Sequence, residues 1–151
     1  MDVYVRPFRK EVYNQVDEPS KKALIKYLES QGHTIVSSAE DYYADVVSQK
    51  DGVTYFNEAE RKAQWKSDWP TYWTEVRVPA RKRRLVEKYK DTLESLYFYV
   101  FNKTYDKAWK IKGTQMVDDI IKEASGPRYR IPKHETFYHI PFVEAELVEI
   151  K

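Results

Sequence analysis

Two glutamates and two cations follow an aromatic start in YFNEAERKAQW, residues 55–65. In a β-strand, side chains alternate between the two faces, so Phe56, Glu58, Glu60 and Lys62 would share one face. An ionised carboxylate is costly to bury alone, so these acids must meet water, each other or a cation. The simpler interpretation is an edge strand with solvated or paired charges. The other is a hydrolytic site, since two acids and a lysine can hold a metal ion and aim a water molecule.

A third acid can join them across a predicted hairpin. Asp51 and Gly52 form a strong turn signal between two β-branched segments, and Asp45 lies on the other limb. Antiparallel pairing would bring Asp45 and Glu60 near one another. Converging carboxylates suit Mg²⁺ or Mn²⁺, and Lys62 on the same face can orient a water or stabilise developing negative charge.

Hydrophobic spacing and turn residues predict the elements that must position these groups. The predicted order is helix, three strands, helix, two strands, helix and extended tail. The segments are DEPSKKALIKYLESQGH, HTIVSS, YADVVSQ, VTYFNEAERKA, a helix from Pro79 through Leu85, Val86, Tyr89, Leu93 and Leu96, then LYFYVFN, KAWKIK, TQMVDDIIKEASGP from a Thr114 cap, and a tail broken by Pro132 and Pro141. We therefore expect an α/β or α+β fold with a central mixed sheet of about five strands flanked by helices.

Composition limits the class of protein. A length of 151 residues predicts a single domain over residues 1–151. The absence of cysteine excludes disulfides and thiolate catalysis and favours a reducing, cytoplasmic location. No signal-peptide pattern or membrane-spanning apolar run is apparent, so no membrane association is expected. Only four glycines are present, with no phosphate-binding loop, and His33, His134 and His139 lack metal-ligand spacing, so their expected roles are structural.

A basic patch follows the acidic strand. Seven Lys or Arg and one acid lie between Arg77 and Lys90, although the formal net charge is only +2. Within it, Arg81, Lys82, Arg83 and Arg84 form the polar side of the predicted second helix. They are either a solvated face or a phosphate-binding face, and a neighbouring metal site favours phosphate binding. Trp65, Trp69, Tyr72 and Trp73 either stack on bases or, as we expect, pack against the sheet.

The order of these motifs resembles the PD-(D/E)XK nuclease superfamily. The acid-x-lysine pattern is Glu60-Arg61-Lys62 on the third strand, and Asp45 lies on the second strand after Ala44 rather than proline. Residues 17 to 112 look most like small archaeal and viral Holliday junction resolvases. Residues 113–151, predicted as a helix and extended tail, lie outside the resemblance.

The resemblance implies a restriction endonuclease-like fold and a Mg²⁺- or Mn²⁺-dependent DNA endonuclease that acts on branched or duplex DNA. It also implies an intracellular protein, encoded by a cell or by a virus. It implies that Asp45 and Glu60 bind the metal, that Lys62 is the catalytic lysine, and that an acid on the first helix joins them. The nearest acids there are Glu18 and Asp17, about one turn earlier than the expected register. Glu58 is expected at the rim, and a two-fold symmetric junction implies a homodimer. The alternatives are another small repair or restriction nuclease, a catalytically silent nucleic-acid-binding module, and a purely structural protein.

Overall fold

Two β-sheets and a small number of helices make up the computed structural model, which describes residues 19–37, 44–62, 65–66, 69, 75–123 and 136–150. The helices are α1 (Pro19–Ser30) and α2 (Arg83–Lys88), with 3-10 turns at Ala80–Lys82, Lys90–Ser95, Gly113–Gln115, Asp118–Ile120 and Phe142–Glu144. The strands are β1 (Thr34–Ser37), β2 (Val46–Lys50), β3 (Val53–Arg61), β4 (Glu75–Pro79), β5 (Leu96–Phe101), β6 (Lys107–Lys112), β7 (Ile121–Glu123), β8 (Thr136–Pro141) and β9 (Glu146–Glu149). The predicted α+β class is confirmed. Among the described helices, none has the length and apolar character needed to span a membrane.

The larger sheet has six strands in the order β1-β2-β3-β5-β6-β9. The predicted meander of β1, β2 and β3 is confirmed, and β3 pairs with β5 in parallel while the other neighbours are antiparallel. The turn between β2 and β3 uses Asp51 and Gly52, with φ of 53° and 79°. Glycine adopts such positive φ without a steric penalty, which explains the turn signal. The strand beyond the expected five is β9, contributed by the predicted tail.

Helix α1 covers one face of this sheet. Its buried residues Leu24, Ile25 and Leu28 belong to the same core cluster as Tyr99 and Phe101 of β5. The helix ends at Ser30, and Gly32 follows with a φ of 88°, a conformation that favours glycine at a helix C-terminus. The first predicted helix is therefore confirmed, together with its stop signal.

The opposite face of the six-stranded sheet packs against a second sheet, whose strand order is β4-β8-β7. Val76 and Val78 of β4 lie in one core cluster with Phe98 and Val100 of β5. Both faces of β5 are therefore buried, which accounts for its continuous apolar run LYFYVF. The prediction that helices flank the sheet holds for the α1 face, while a sheet with short helical turns covers most of the other.

The second predicted helix is much shorter than expected. Helix α2 has six residues, Thr92 interrupts the following 3-10 turn with φ −136° and ψ 37°, and Leu96 belongs to β5. The apolar spacing from Leu85 to Leu96 suits a helix, but Leu96 pairs with Phe56 of β3. Strand pairing across the core outweighs local helical spacing here.

The third predicted helix, from Thr114, is wrong over its described residues. Two 3-10 turns replace its first part, and Lys112 rather than Thr114 precedes the first turn. Residues Ile121–Glu123 form β7, in which Ile121 pairs with Tyr138 of β8. The partner strand β8 comes from the predicted tail, so an interaction distant in sequence replaced a locally plausible helix.

Candidate functional site

The hairpin of β2 and β3 separates next to Asp45. The last pair of its ladder is Val46 with Asn57, and Asp45 precedes it. There the Asp45 backbone N–H donates to Glu58 Oε1 at 3.0 Å, and Asp45 Oδ2 accepts from the Ala59 backbone N–H at 2.8 Å. Side-chain carboxylates thus replace the backbone ladder where the strands diverge, and they fix Asp45 beside Glu58.

Glu58 is buried, with 3% of its surface exposed, so the expectation that it lies at the rim is wrong. Its Oε2 lies 2.8 Å from Lys82 Nζ and 3.7 Å from Arg84 Nη2. A buried carboxylate without a counter-charge would be strongly destabilising, so Lys82 is what makes this burial tolerable. The alternation of side chains in a strand correctly placed Glu58 on the same face as Glu60 and Lys62. How far Glu58 is buried depends on the residues packed around it, which alternation does not predict.

Glu60 lies two residues further along the same face of β3 and is half-buried. Its Oε1 lies 3.4 Å from Arg81 Nη2 and 3.5 Å from Lys82 Nζ. Lys82 therefore bridges Glu58 and Glu60. We call Asp45, Glu58 and Glu60 the acidic cluster, and residues 81–84 the basic segment.

Asp45 has an environment that opposes its ionisation. The pKa of its carboxyl is raised from 3.8 to about 6, first by burial and then by a hydrogen bond with the adjacent Glu58 carboxyl and the negative charge of that group. The hydrogen bond from Ala59 and the charge of Lys21 act in the opposite direction. Lys21 Nζ lies 3.9 Å from Asp45 Oδ1. An additional cation near Asp45 and Glu58 would relieve this repulsion.

Lys62 follows the end of β3 and is half-buried. Its backbone N–H donates to Phe101 O at 2.8 Å, which ties it to the neighbouring strand β5. Burial lowers the pKa of the Lys62 ammonium, Arg77 acts in the same direction, and Glu60 opposes both. Lys62 is thus close to Glu60, in a setting that makes its proton easier to release than that of an exposed lysine.

The predicted fourth acid cannot be placed, because Glu18 and Asp17 lie outside the described residues. Helix α1 contributes Lys21 to the surroundings of Asp45 instead. The structure thus brings together Asp45 with Glu58, and Glu58 with Glu60 through Lys82. Sequence reasoning had chosen Glu60 rather than Glu58 as the direct partner of Asp45.

The basic segment does not present one uniform face. Arg81, Lys82 and Arg84 contact Glu58 or Glu60, whereas Arg83 makes two hydrogen bonds of 3.0 Å to Asp118 and lies 3.3 Å from Glu87. The side chains of Arg81 and Arg84 remain 64% and 56% exposed, and that of Lys82 is 13% exposed. Exposed guanidinium groups next to the acidic cluster are suited to reach a phosphate.

The described aromatic residues after β3 pack inward. Trp65 is fully buried, meets Trp69 edge-on at 5.1 Å and stacks with Trp109 at 6.2 Å. Trp65 therefore has no surface on which a base could stack, as the packing interpretation expected. Tyr72 and Trp73 lie outside the described residues.

Two histidines make local contacts. His33 Nδ1 lies 2.8 Å from Ser48 Oγ, and His139 Nδ1 lies 2.8 Å from Glu75 Oε1. These contacts fit the structural roles expected of both rings. His134 lies outside the described residues.

The oxygen ligands available near Asp45 can be compared with those that a divalent cation requires. In the described parts of the chain, no group of three His, Cys, Asp or Glu side chains is arranged to hold a metal ion. Asp45 and Glu58 form an adjacent pair, and Mg²⁺ in phosphate-processing sites commonly uses one or two carboxylates, with water and phosphate oxygens completing its shell. The pair therefore fits a magnesium site of that open kind.

The positions of Asp45, Glu60 and Lys62 along the strands are the features on which the resemblance to PD-(D/E)XK nucleases depends. Asp45 directly precedes β2, Glu60 lies near the end of β3, and Lys62 follows it. No protein-family model matches this chain, and no curated protein matches it.

Proposed function

We propose that this chain is a divalent-metal-dependent DNA endonuclease, with Asp45 and Glu58 as the principal metal ligands and Glu60 beside them. The observation that carries the proposal is the contact of Asp45 with Glu58 where β2 leaves β3. Burial, with the hydrogen bond and the charge of Glu58 acting in the same direction, raises the pKa of Asp45 to about 6. Proteins tend to hold acids together against such repulsion at functional sites. Burial and mutual repulsion disfavour the ionised form of these two carboxyls, and a bound cation would stabilise it.

The surrounding residues have complementary roles in phosphodiester hydrolysis. A bound Mg²⁺ would supply a Lewis acid for the phosphate and lower the pKa of a water molecule. Asp45 and Glu58 would hold that ion, and Glu60, which opposes the lowering of the Lys62 pKa, would help to keep Lys62 charged beside the developing negative charge. Arg81 and Arg84 contact the phosphates flanking the cleaved bond, without reading base sequence.

The substrate follows from the resemblance. Branched DNA of the Holliday junction type is the first substrate to test, with duplex DNA of repair or restriction as the alternative. A junction of two-fold symmetry requires a homodimer, in which each subunit places its acidic cluster at one of the two DNA strands to be cleaved.

A catalytically silent nucleic-acid-binding module is the second candidate. It is favoured by the ion pairs themselves, since Lys82, Arg81 and Arg84 already neutralise Glu58 and Glu60. In that case the acidic cluster is a structural ion network, and the exposed arginines alone contact DNA.

Cleavage assays separate the two candidates. Four-way junction, duplex and single-stranded DNA are incubated with the protein in Mg²⁺ and in EDTA, with Glu58→Gln and Asp45→Asn alongside. Metal-dependent cleavage that both variants lose supports the endonuclease. Asp51→Asn, in the β2–β3 turn, is the matched control, since asparagine tolerates the positive φ of that position. DNA binding without cleavage in any metal supports the silent module.

A further inference from the structure

Three cations of the basic segment, Arg81, Lys82 and Arg84, are paired with two acids of the acidic cluster, Glu58 and Glu60. Lys82 Nζ lies 2.8 Å from Glu58 and 3.5 Å from Glu60, and Arg81 and Arg84 approach the same two acids from the exposed side. The residues suited to a metal ion and those suited to a phosphate are therefore each other's partners.

We propose that Lys82 is an internal counter-ion whose exchange between Glu58 and a DNA phosphate couples metal binding to DNA binding. This inference rests on the proposed function of the same site. When a phosphate takes the Lys82 ammonium, Glu58 and Glu60 lose the counter-charge that they share and become available to a divalent cation. Without DNA, Lys82 competes with that cation.

Geometry explains the competition. A single ammonium within 3.5 Å of both carboxylates occupies space that a cation shared by them would need. Because Glu58 is only 3% exposed and the Lys82 side chain 13%, water screens this interaction little. Metal binding to Glu58 must therefore displace Lys82 or accept strong repulsion from it.

The connection between Lys82 and the fold permits such a displacement. The 3-10 turn Ala80–Lys82 passes directly into the six-residue helix α2, and neither start has a side-chain cap. Lysine also has a long, flexible stem, so its ammonium can move by several ångströms without rearranging the backbone. Arg81 and Arg84, more than half exposed, lie where an approaching phosphate would first arrive.

Linkage makes the coupling reciprocal. If DNA tightens metal binding by some factor, the metal must tighten DNA binding by the same factor, and couplings of this kind are typically about 5- to 150-fold. The DNA-free protein is then expected to hold metal weakly. The complete site forms only when substrate is present.

Mn²⁺ titration monitored by electron paramagnetic resonance tests the competition on the full chain without DNA. Lys82→Gln removes the charge but keeps a hydrogen-bond donor for Glu58. We expect it to bind Mn²⁺ at least about tenfold more tightly than the wild type. Arg83→Gln, which removes the same charge from a residue paired with Asp118 and Glu87, is the matched control and should leave the Mn²⁺ affinity unchanged.

A second titration adds duplex DNA in a Lys62→Ala background, with denaturing gels to verify that the DNA stays intact. DNA should tighten Mn²⁺ binding about fivefold or more when Lys82 is present, and hardly at all in Lys82→Gln. If Lys82→Gln does not fold, as judged by circular dichroism, the titration with Lys82 present decides. Absence of tightening there overturns the coupling.

The outcomes distinguish the two proposals. If the wild type and Lys82→Gln bind Mn²⁺ with equal affinity, the counter-ion role of Lys82 is wrong. If Glu58→Gln then abolishes Mn²⁺ binding in both, the proposed metal-dependent endonuclease is still supported. If the wild type and Lys82→Gln both fail to bind Mn²⁺, with or without DNA, the metal-dependent function itself is wrong.

Discussion

Lys82 Nζ lies 2.8 Å from Oε2 of Glu58, a side chain with 3% exposure. The two residues are 24 positions apart, on a 3-10 turn and on β3. Removing either partner should lower the stability of the fold, because the remaining charge keeps only a more distant neighbour: Arg84 at 3.7 Å for Glu58, or Glu60 at 3.5 Å for Lys82.

Lys82→Met should therefore destabilise the fold by up to about 3 to 5 kcal/mol, the usual cost of breaking a buried ion pair from one side, with Arg84 offsetting part of it. Adding Glu58→Gln should restore part of this loss, since the orphaned charge is then gone. Urea unfolding of the wild type, both single variants and the double variant measures the coupling.

Arg83→Met is the comparison for that cycle, because Arg83 belongs to the same basic segment but pairs with exposed acids. It should change the unfolding free energy far less than Lys82→Met does. Additive effects of Lys82→Met and Glu58→Gln would mean that the two side chains do not interact in solution.

Asp45→Asn should make the protein more stable above pH 6. The folded pKa of Asp45 is about 6, above its ordinary 3.8, so the folded state binds the proton more tightly than the unfolded state does. This tighter proton binding stabilises the folded state fully below about pH 3.8, and the stabilisation is lost as the pH rises toward 6. Asparagine stays neutral and can still accept from Ala59, so the gain at pH 8 should be about 1 to 3 kcal/mol.

Thermal unfolding between pH 4 and pH 8 provides the measurement for Asp45→Asn. The difference from wild type should grow with pH and level off above pH 6. Asp91→Asn, at an exposed position, should show no such trend. If the stability difference between Asp45→Asn and the wild type stays constant from pH 4 to pH 8, the Asp45 carboxyl is solvated and its pKa is not raised.

Lys62→Ala should separate chemistry from binding. Under the proposed function, the variant keeps Asp45 and Glu58 for the metal but removes a positive charge from beside the phosphate to be cleaved, so cleavage should fall far more than DNA affinity. Gel-shift titration in EDTA beside single-turnover cleavage in Mg²⁺ measures both quantities. Equal losses of affinity and rate would make Lys62 a binding residue only, and wild-type cleavage would exclude it from the chemistry.

Arg81→Ala with Arg84→Ala should flatten the salt dependence of DNA binding. Each lost phosphate contact lowers the slope of log affinity against log salt by about 0.9, so the pair should lower it by about 1.8. Arg83→Ala should lower it less, because the Arg83 guanidinium is committed to Asp118. An unchanged slope in the Arg81 and Arg84 variant would mean that these side chains serve only the acidic cluster.

Several features of this protein could be predicted from the sequence because their causes are local. Helix α1 has its own apolar stripe and Gly32 stop, and the β2–β3 hairpin has its Asp51-Gly52 turn. The period of two along β3 correctly placed Glu58 and Glu60 on one face, since alternation in a strand requires no knowledge of neighbouring elements.

Only the tertiary structure decided how deep those acids lie and what neutralises them. Glu58 is buried beside Asp45, and its ammonium partner Lys82 comes from a segment that local spacing had predicted as a regular helix. Likewise, β7 forms because β8 supplies hydrogen-bond partners from the far end of the chain. Such contacts join residues distant in sequence, and their energies depend on burial and on opposing charge, neither of which has a local pattern.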